Sequence, residues 1–377
     1  MTNPLVALQE LGQSPWHDNI RRDLITSGAL AKMIADGDIT GLTSNPTIFE
    51  QAIANTDIYD DAIRALAAHG ENSARIFDAL AIEDIRHAAD LFRPVFDRTS
   101  GDDGYVSIEV SPTLAHDADA TIAEARRLWA VVDRPNLMVK IPATLAGLKA
   151  IELAIADGMN VNVTLIFSLL RYHAVVQAYL AGLRQRVRAK APVHTIFSVA
   201  SFFVSRVDSA VDRLLDAQIA AGTADTAALR ALKGKAAIAN AQLAYEAFEG
   251  MFRSADFSSL QDAGARAQRP LWASTSSKNP AYPDLYYVEA LVGRETVDTM
   301  PPATIAAYRD HGAPRLRIGE NLDGARATLA GLKAVGIDLD AVLAQLEAEG
   351  VASFSKSYES LLAVIEDRAR DARGASQ

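Results

Sequence analysis

The sequence predicts an α/β fold built on parallel strands, and three observations carry that expectation. Short β-type runs alternate with longer helical runs along the chain. Eight strand candidates can be counted, with helical intervals between them. No internal repeat, low-complexity tract or flexible linker divides the chain. On pattern alone, eight strands with intervening helices suit a closed barrel, and a doubly wound open sheet stays possible. The 377 residues leave room for one barrel of about 250 residues plus additions.

The strand candidates fall, in order, at 14–18, 39–44, 105–111, 137–143, 160–167, 194–201, 269–275 and 295–301. The first and last carry the weakest β signal. Residues 118–130 place Ile122, Ala125, Leu128 and Trp129 at the spacing of one helix face. Residues 145–157 repeat that pattern, and Gly158 fits a helix stop before the next strand. Between the sixth and seventh strands lies an insertion, about 207–268, with two helical patterns split around Gly222. After the eighth strand come amphipathic segments at 323–336 and 339–371, whose leucines need a surface to cover. The expected division is a catalytic unit over 1–301 and a C-terminal helical extension over 302–377.

Composition narrows the classes of function. A hydrophobic content of 49% with 22% charged residues is that of an ordinary globular chain. No apolar run approaches the roughly 20 residues that cross a bilayer. The N-terminus lacks a basic segment followed by an apolar one, so the expected location is the cytoplasm. Cysteine is absent, which removes disulfides, thiolate nucleophiles and Cys-ligated metals. A formal charge of -10 repels nucleic acid and anionic lipid, so an anionic substrate needs a local basic cluster. The basic run 184–190 reads as a solvated helix end. The seven histidines, among them His17, His87, His116, His173 and His194, show no metal-ligand spacing. Neither G-x-G-x-x-G nor G-x-x-x-x-G-K occurs, so no metal and no cofactor is expected.

The chemistry-bearing residues are charges and amides in the wrong places. Lys140 sits inside LMVKIPA, where alternation sets Met138, Lys140 and Pro142 on one face. Burying an ammonium in apolar surroundings favours the neutral amine, the form that attacks a carbonyl. The plainer alternative is a lysine whose head reaches solvent at a strand end. Glu109 interrupts VSIEVS in the preceding strand, and its plainer role is as an ion-pair partner, Lys140 itself being a candidate. Asn162 and Thr164 share a face of NVNVT while Val161, Val163 and Leu165 take the other, although buried parallel strands are normally apolar on both sides. In GLTSNPTIF, Thr43 and Asn45 alternate on one face, Pro46 ends the strand, and Thr47 can cap the next element. Asp18 in PWHDN could equally be a strand-end cap.

Taken together, these segments resemble the transaldolase family, of the longer bacterial type within the class I aldolases. GLTSNPTIF resembles the family signature around T-[ST]-N-P. LMVKIPAT, Gly147 and NVNVTLIFS resemble its Schiff-base lysine region. The order Asp, TSNP, strand Glu, strand Lys, N-x-T and S-F-F-V-S-R is kept from Asp18 to Lys278. The resemblance implies a single (β/α)₈ TIM barrel with a helical insertion and a C-terminal helical extension. It implies transfer of a dihydroxyacetone unit from sedoheptulose 7-phosphate to glyceraldehyde 3-phosphate in the non-oxidative pentose phosphate pathway.

Roles follow from that resemblance. Lys140 would form the imine, Glu109 and Thr164 with a water would relay protons, and Asp18 would take and return the C4 hydroxyl proton. Asn45, Asn162 and Ser201 would hold the dihydroxyacetone unit. Arg206, Ser276 and Lys278 would bind phosphate, Lys278 standing where some relatives have arginine. Asp23 lies near Asp18, but the W-x-D register favours Asp18. The nearest alternative is a fructose-6-phosphate aldolase, which releases free dihydroxyacetone; Glu109 in place of glutamine and Phe203 in place of tyrosine resemble the transferase pattern. A non-catalytic sugar-phosphate binder on the same barrel would be expected to lack Lys140, Glu109 or Asp18. The implied partners are sugar phosphates alone, bound by a monomer or homodimer.

Overall fold

The computed structural model describes residues 3–222 and 225–374. The outermost ends of the two expected units, residues 1–2 and 375–377, and positions 223–224 of the insertion lie outside the described residues. Eight parallel strands close into a barrel in sequence order: β1 (Gln13–Asp18), β2 (Gly41–Thr43), β3 (Val106–Glu109), β4 (Leu137–Pro142), β5 (Val161–Ile166), β6 (Ser198–Phe203), β7 (Arg269–Ala273) and β8 (Thr296–Met300). Pairing of β1 with β8, from Gln13 opposite Thr296 to His17 opposite Met300, closes it. Closure removes both sheet edges and settles the choice between barrel and open sheet.

Helices surround the strands. Helix α1 (Pro4–Glu10) precedes β1; α2 (Arg22–Thr26) and α3 (Ala29–Ala35) follow it. Helices α4 (Pro46–Ala54), α5 (Asp60–Ala68) and α6 (Ser73–Arg98) join β2 to β3, and α7 (Ala118–Val132) joins β3 to β4. Helices α8 (Leu145–Asp157) and α9 (Leu169–Arg188) flank β5. Side-chain caps set several starts, as where Thr144 accepts from the Gly147 N–H, a contact worth about 1 kcal/mol. Gly158, at φ 98°, ends α8 in the left-handed region that favours glycine.

Four expectations need correction. The sixth strand spans Ser198–Phe203 rather than 194–201, so residues 194–197 are loop and Phe203 belongs to the barrel. The insertion holds four helices, α10 (Ser205–Ala221), α11 (Thr226–Leu232), α12 (Ala236–Phe252) and α13 (Ala255–Asp262), because Gly234 and Ser254 break what reads as one long pattern. The run 184–190 is not wholly solvated: Arg186 is buried and donates to the carbonyls of Pro192 and Ala156. Alternation in β5 stops at Thr164, since Leu165 adopts φ 60° where the register to β6 shifts.

Helix α14 (Tyr286–Ala290) lies between β7 and β8, and α15 (Pro302–His311) packs on α1, β1 and β8. Helix α16 (Leu322–Ala334) packs on α12, and the long α17 (Leu339–Gly374) runs over α4, α5, α6 and α10. Arg171 pairs with Glu347, and Arg368 reaches Asp60 and two α4–α5 carbonyls, which fixes α17 at both ends. Among the described residues, no helix is long and apolar enough to cross a membrane. Inside the barrel, Gly41 has no side chain because a Cβ there would lie 2.5 Å from the Trp16 ring. That close approach lets the indole fill the lower barrel, leaving the upper end for polar groups.

Candidate active site

Strand alternation carries Asp18, Thr43, Lys140, Thr164, Ser201 and Thr299 to the C-terminal end of the barrel, where they line a cavity of about 300 Å³. Lys140 and Glu109 are register partners on β4 and β3. Both side chains are buried, at 6% and 5% exposure, with Nζ 3.6 Å from Oε2. The ammonium donates to the Ser44 carbonyl at 3.1 Å. Burial pushes the Glu109 carboxyl up to about 7, Lys140 partly offsets this, and the Asp18 charge adds to it. Its Oε2 accepts no hydrogen bond, and neither does the buried Thr164 hydroxyl. Two unpartnered oxygens beside a buried amine are the groups a proton relay requires.

Asn162 is held from both sides. Its amide donates to Ser107 at 3.1 Å, and Ser201 donates to its oxygen at 2.7 Å. Thr43 donates to Asp18 at 2.8 Å, so Asp18 is oriented by its strand neighbour and does not act as a cap. Asp23 faces away and pairs with Arg21 at 2.5 Å. The cap on α4 is Asn45, not Thr47: Asn45 Oδ1 accepts from the Ile48 N–H, leaving its Nδ2 for a ligand. Thr47 instead donates to Ser357 of α17.

Above these groups stands the basic cluster. Arg206, in the first turn of α10, lies 5.3 Å over the Phe203 ring. Lys278, at the exposed rim, donates to Ser276 at 2.6 Å. Burial holds the Arg206 guanidinium below the usual arginine value, with Asp18 and Glu349 opposing. Partial desolvation and then the Arg206 charge hold Lys278 below the usual lysine value. Neither cation has a carboxylate within ion-pair distance among the described residues. Two adjacent cations without a counter-ion form a site for an anion of more than one charge.

Nine of the ten sequence-derived residues line this one cavity or bond to its wall, and Glu109 touches it through Lys140. Four other contributors escaped the sequence reading. Thr43 was visible in the alternation but given no role. Thr299 sits on the weakly marked eighth strand. Ser274 takes φ 59° at the end of β7 and meets Ser205 at 3.1 Å, a strain with no sequence signal. Phe354 of α17, 4% exposed, covers the cavity from a distant part of the chain. His17, on the opposite face of β1 from Asp18, is buried and pushed down to about 4, so it stays neutral. Among the described residues, no three His, Asp or Glu side chains could hold one metal ion.

The sequence profile described as Transaldolase/Fructose-6-phosphate aldolase matches residues 15–365. A transaldolase of Thiobacillus denitrificans is 50% identical over 95% of the chain and 98% of its own length. A transaldolase of Thermobifida fusca is 51% identical over 96% and 97%. A protein named Transaldolase 2 from Nostoc is 45% identical over 98% of both.

Proposed function

The chain belongs to the transaldolase/fructose-6-phosphate aldolase family as a transferase of the transaldolase kind, and we propose that Lys140 carries the transferred unit as a Schiff base. The observation that supports this most is the buried Lys140–Glu109 pair at the foot of a cavity whose rim bears two cations without carboxylates.

In this reading the Lys140 amine attacks C2 of sedoheptulose 7-phosphate to form a carbinolamine. Glu109, working with Thr164, protonates the C2 hydroxyl, which leaves as water and gives the protonated imine. Asp18 takes the proton of the C4 hydroxyl, the C3–C4 bond breaks, and its electron pair flows to the imine nitrogen. Erythrose 4-phosphate departs while the three-carbon unit stays as an enamine. The enamine carbon then attacks the aldehyde of glyceraldehyde 3-phosphate, Asp18 returns its proton to the new hydroxyl, and hydrolysis frees fructose 6-phosphate. Asn45 Nδ2, Asn162 and Ser201 hold the hydroxyls of the unit in this reading. Arg206, Lys278 and Ser276 receive the phosphate, the last strands of such barrels being a common place for it. Phe354 covers the enamine and keeps water from protonating it.

Substrates that carry a phosphate do not cross a bilayer unaided, which fits a cytoplasmic enzyme, acting as a monomer or homodimer. Release of free dihydroxyacetone, the aldolase alternative, is not favoured by relatives that bear the name transaldolase along their whole length. The test is borohydride trapping with fructose 6-phosphate, followed by peptide mass spectrometry, on wild type and Lys140→Met. A reduced three-carbon adduct on the Lys140 peptide, lost in the variant, is the expected result. An active wild type with no adduct would overturn the Schiff-base reading.

A further inference from the structure

A second cavity, of about 360 Å³, lies on the other side of Glu109. It is bounded by α4, α6, the turn after β3 and α7, and Tyr358 of α17 stands at one wall. Phe49, Phe77, Ile108 and Leu128 are among its walls, and Ser44, Glu109 and Ser111 line it beside them. Asn45 lines both cavities, and the Lys140 amine is 3.6 Å from the Glu109 oxygen that has no hydrogen-bond partner. The mouth is framed by Arg127, paired with Asp78 and Glu124, and by Arg75, 3.9 Å from Glu71. Tyr358 packs edge-on against Phe77 at the opening.

The proposed chemistry needs such an opening. Each imine formed releases one water at C2, and each imine hydrolysed consumes one. During both steps the sugar occupies the first cavity beneath Phe354. The second cavity has room for several waters at about 30 Å³ each. We propose that the second cavity is the water route of the reaction, water leaving and reaching C2 past Glu109 between α6 and α7 rather than through the sugar cavity. This rests on Lys140 acting as the Schiff-base residue. Going forward, the C2–O bond breaks as the nitrogen lone pair forms the C=N bond, and the Glu109 proton leaves with the hydroxyl as water. In reverse, an entering water adds to C2 and gives its proton to the Glu109 carboxylate. A carboxyl that titrates near neutrality can serve both directions.

The experiment follows ¹⁸O from labelled water into the C2 carbonyl of fructose 6-phosphate, above the uncatalysed exchange, with borohydride trapping run in parallel. Ala74 is exposed at the mouth, so Ala74→Trp plugs the opening without touching the barrel. Tyr358→Ala widens it. Ala74→Trp should slow exchange relative to wild type, with KM for fructose 6-phosphate unchanged. Tyr358→Ala should exchange at least as fast as wild type. Wild-type exchange in Ala74→Trp, or slowed exchange in a folded Tyr358→Ala, overturns the water route. If wild type gives neither a Lys140 adduct nor exchange, the Schiff-base reading itself fails, and the route fails with it.

Discussion

Replacing Lys140 with methionine should make the protein's stability depend on pH in a way that reports the buried pair directly. At 3.6 Å and an effective dielectric of about 20, the ammonium stabilises an ionised Glu109 by roughly 5 kcal/mol. Without it, the carboxyl that titrates at about 7 rises to roughly 10. A carboxyl raised above its ordinary 4.5 contributes stability that is whole below 4.5 and is lost as pH rises toward the folded value. Near pH 5.5 Glu109 is protonated in both proteins, so this group distinguishes them by about zero. Near pH 8.5 the wild-type carboxyl has ionised and its loss has levelled off, while that of the variant is still growing. The variant should therefore lose about 2 kcal/mol more than wild type between those two pH values. Urea unfolding at each pH measures it, and Glu109→Gln on top of Lys140→Met should remove the variant's loss of about 4 kcal/mol over that range, leaving the double variant less pH-dependent than wild type by about 2 kcal/mol. A gap between wild type and Lys140→Met that does not change with pH would refute the argument, because it would mean that Glu109 does not depend on Lys140 for its charge.

Two other outcomes are expected. Arg206→Ala should raise KM for fructose 6-phosphate by roughly 10- to 100-fold, the worth of a hydrogen bond to a charged group, with a smaller effect on kcat; an unchanged KM in steady-state assays would remove Arg206 from the phosphate site. Asp298, buried behind β8 with Thr275 donating to one oxygen and none to the other, is pushed up to about 7 by burial first, with the Asp18 charge adding. Its raised carboxyl costs stability as pH rises from about 4 through about 7, so Asp298→Asn should match wild type in acid and exceed it by roughly 4 kcal/mol in mild alkali. Parallel stability profiles for the two proteins would contradict that.

What the sequence determined about this protein is what short-range periodicity can encode. The period of two along a strand is local, so a lysine at 140, a glutamate at 109 and an amide at 162 amid apolar neighbours already declared an inward polar face before any strand had a neighbour. The strand of residues 137–142 and the helix stop at Gly158 were legible for the same reason. Tertiary structure alone decided the rest. Closure through β1 and β8 depends on pairing residues more than 280 positions apart, and neither strand advertises it. That Thr43 orients Asp18 while Arg21 draws Asp23 away appeared only in the assembled fold, although the W-x-D register already favoured Asp18. Asn45 became both cap and cavity wall because α4 starts where β2 ends. The cover over the site comes from Phe354 at the far end of the chain, and the left-handed bends at Leu165 and Ser274 come from packing that no local pattern records. Local pattern specifies which face of an element is polar; only the assembled barrel specifies which polar faces meet.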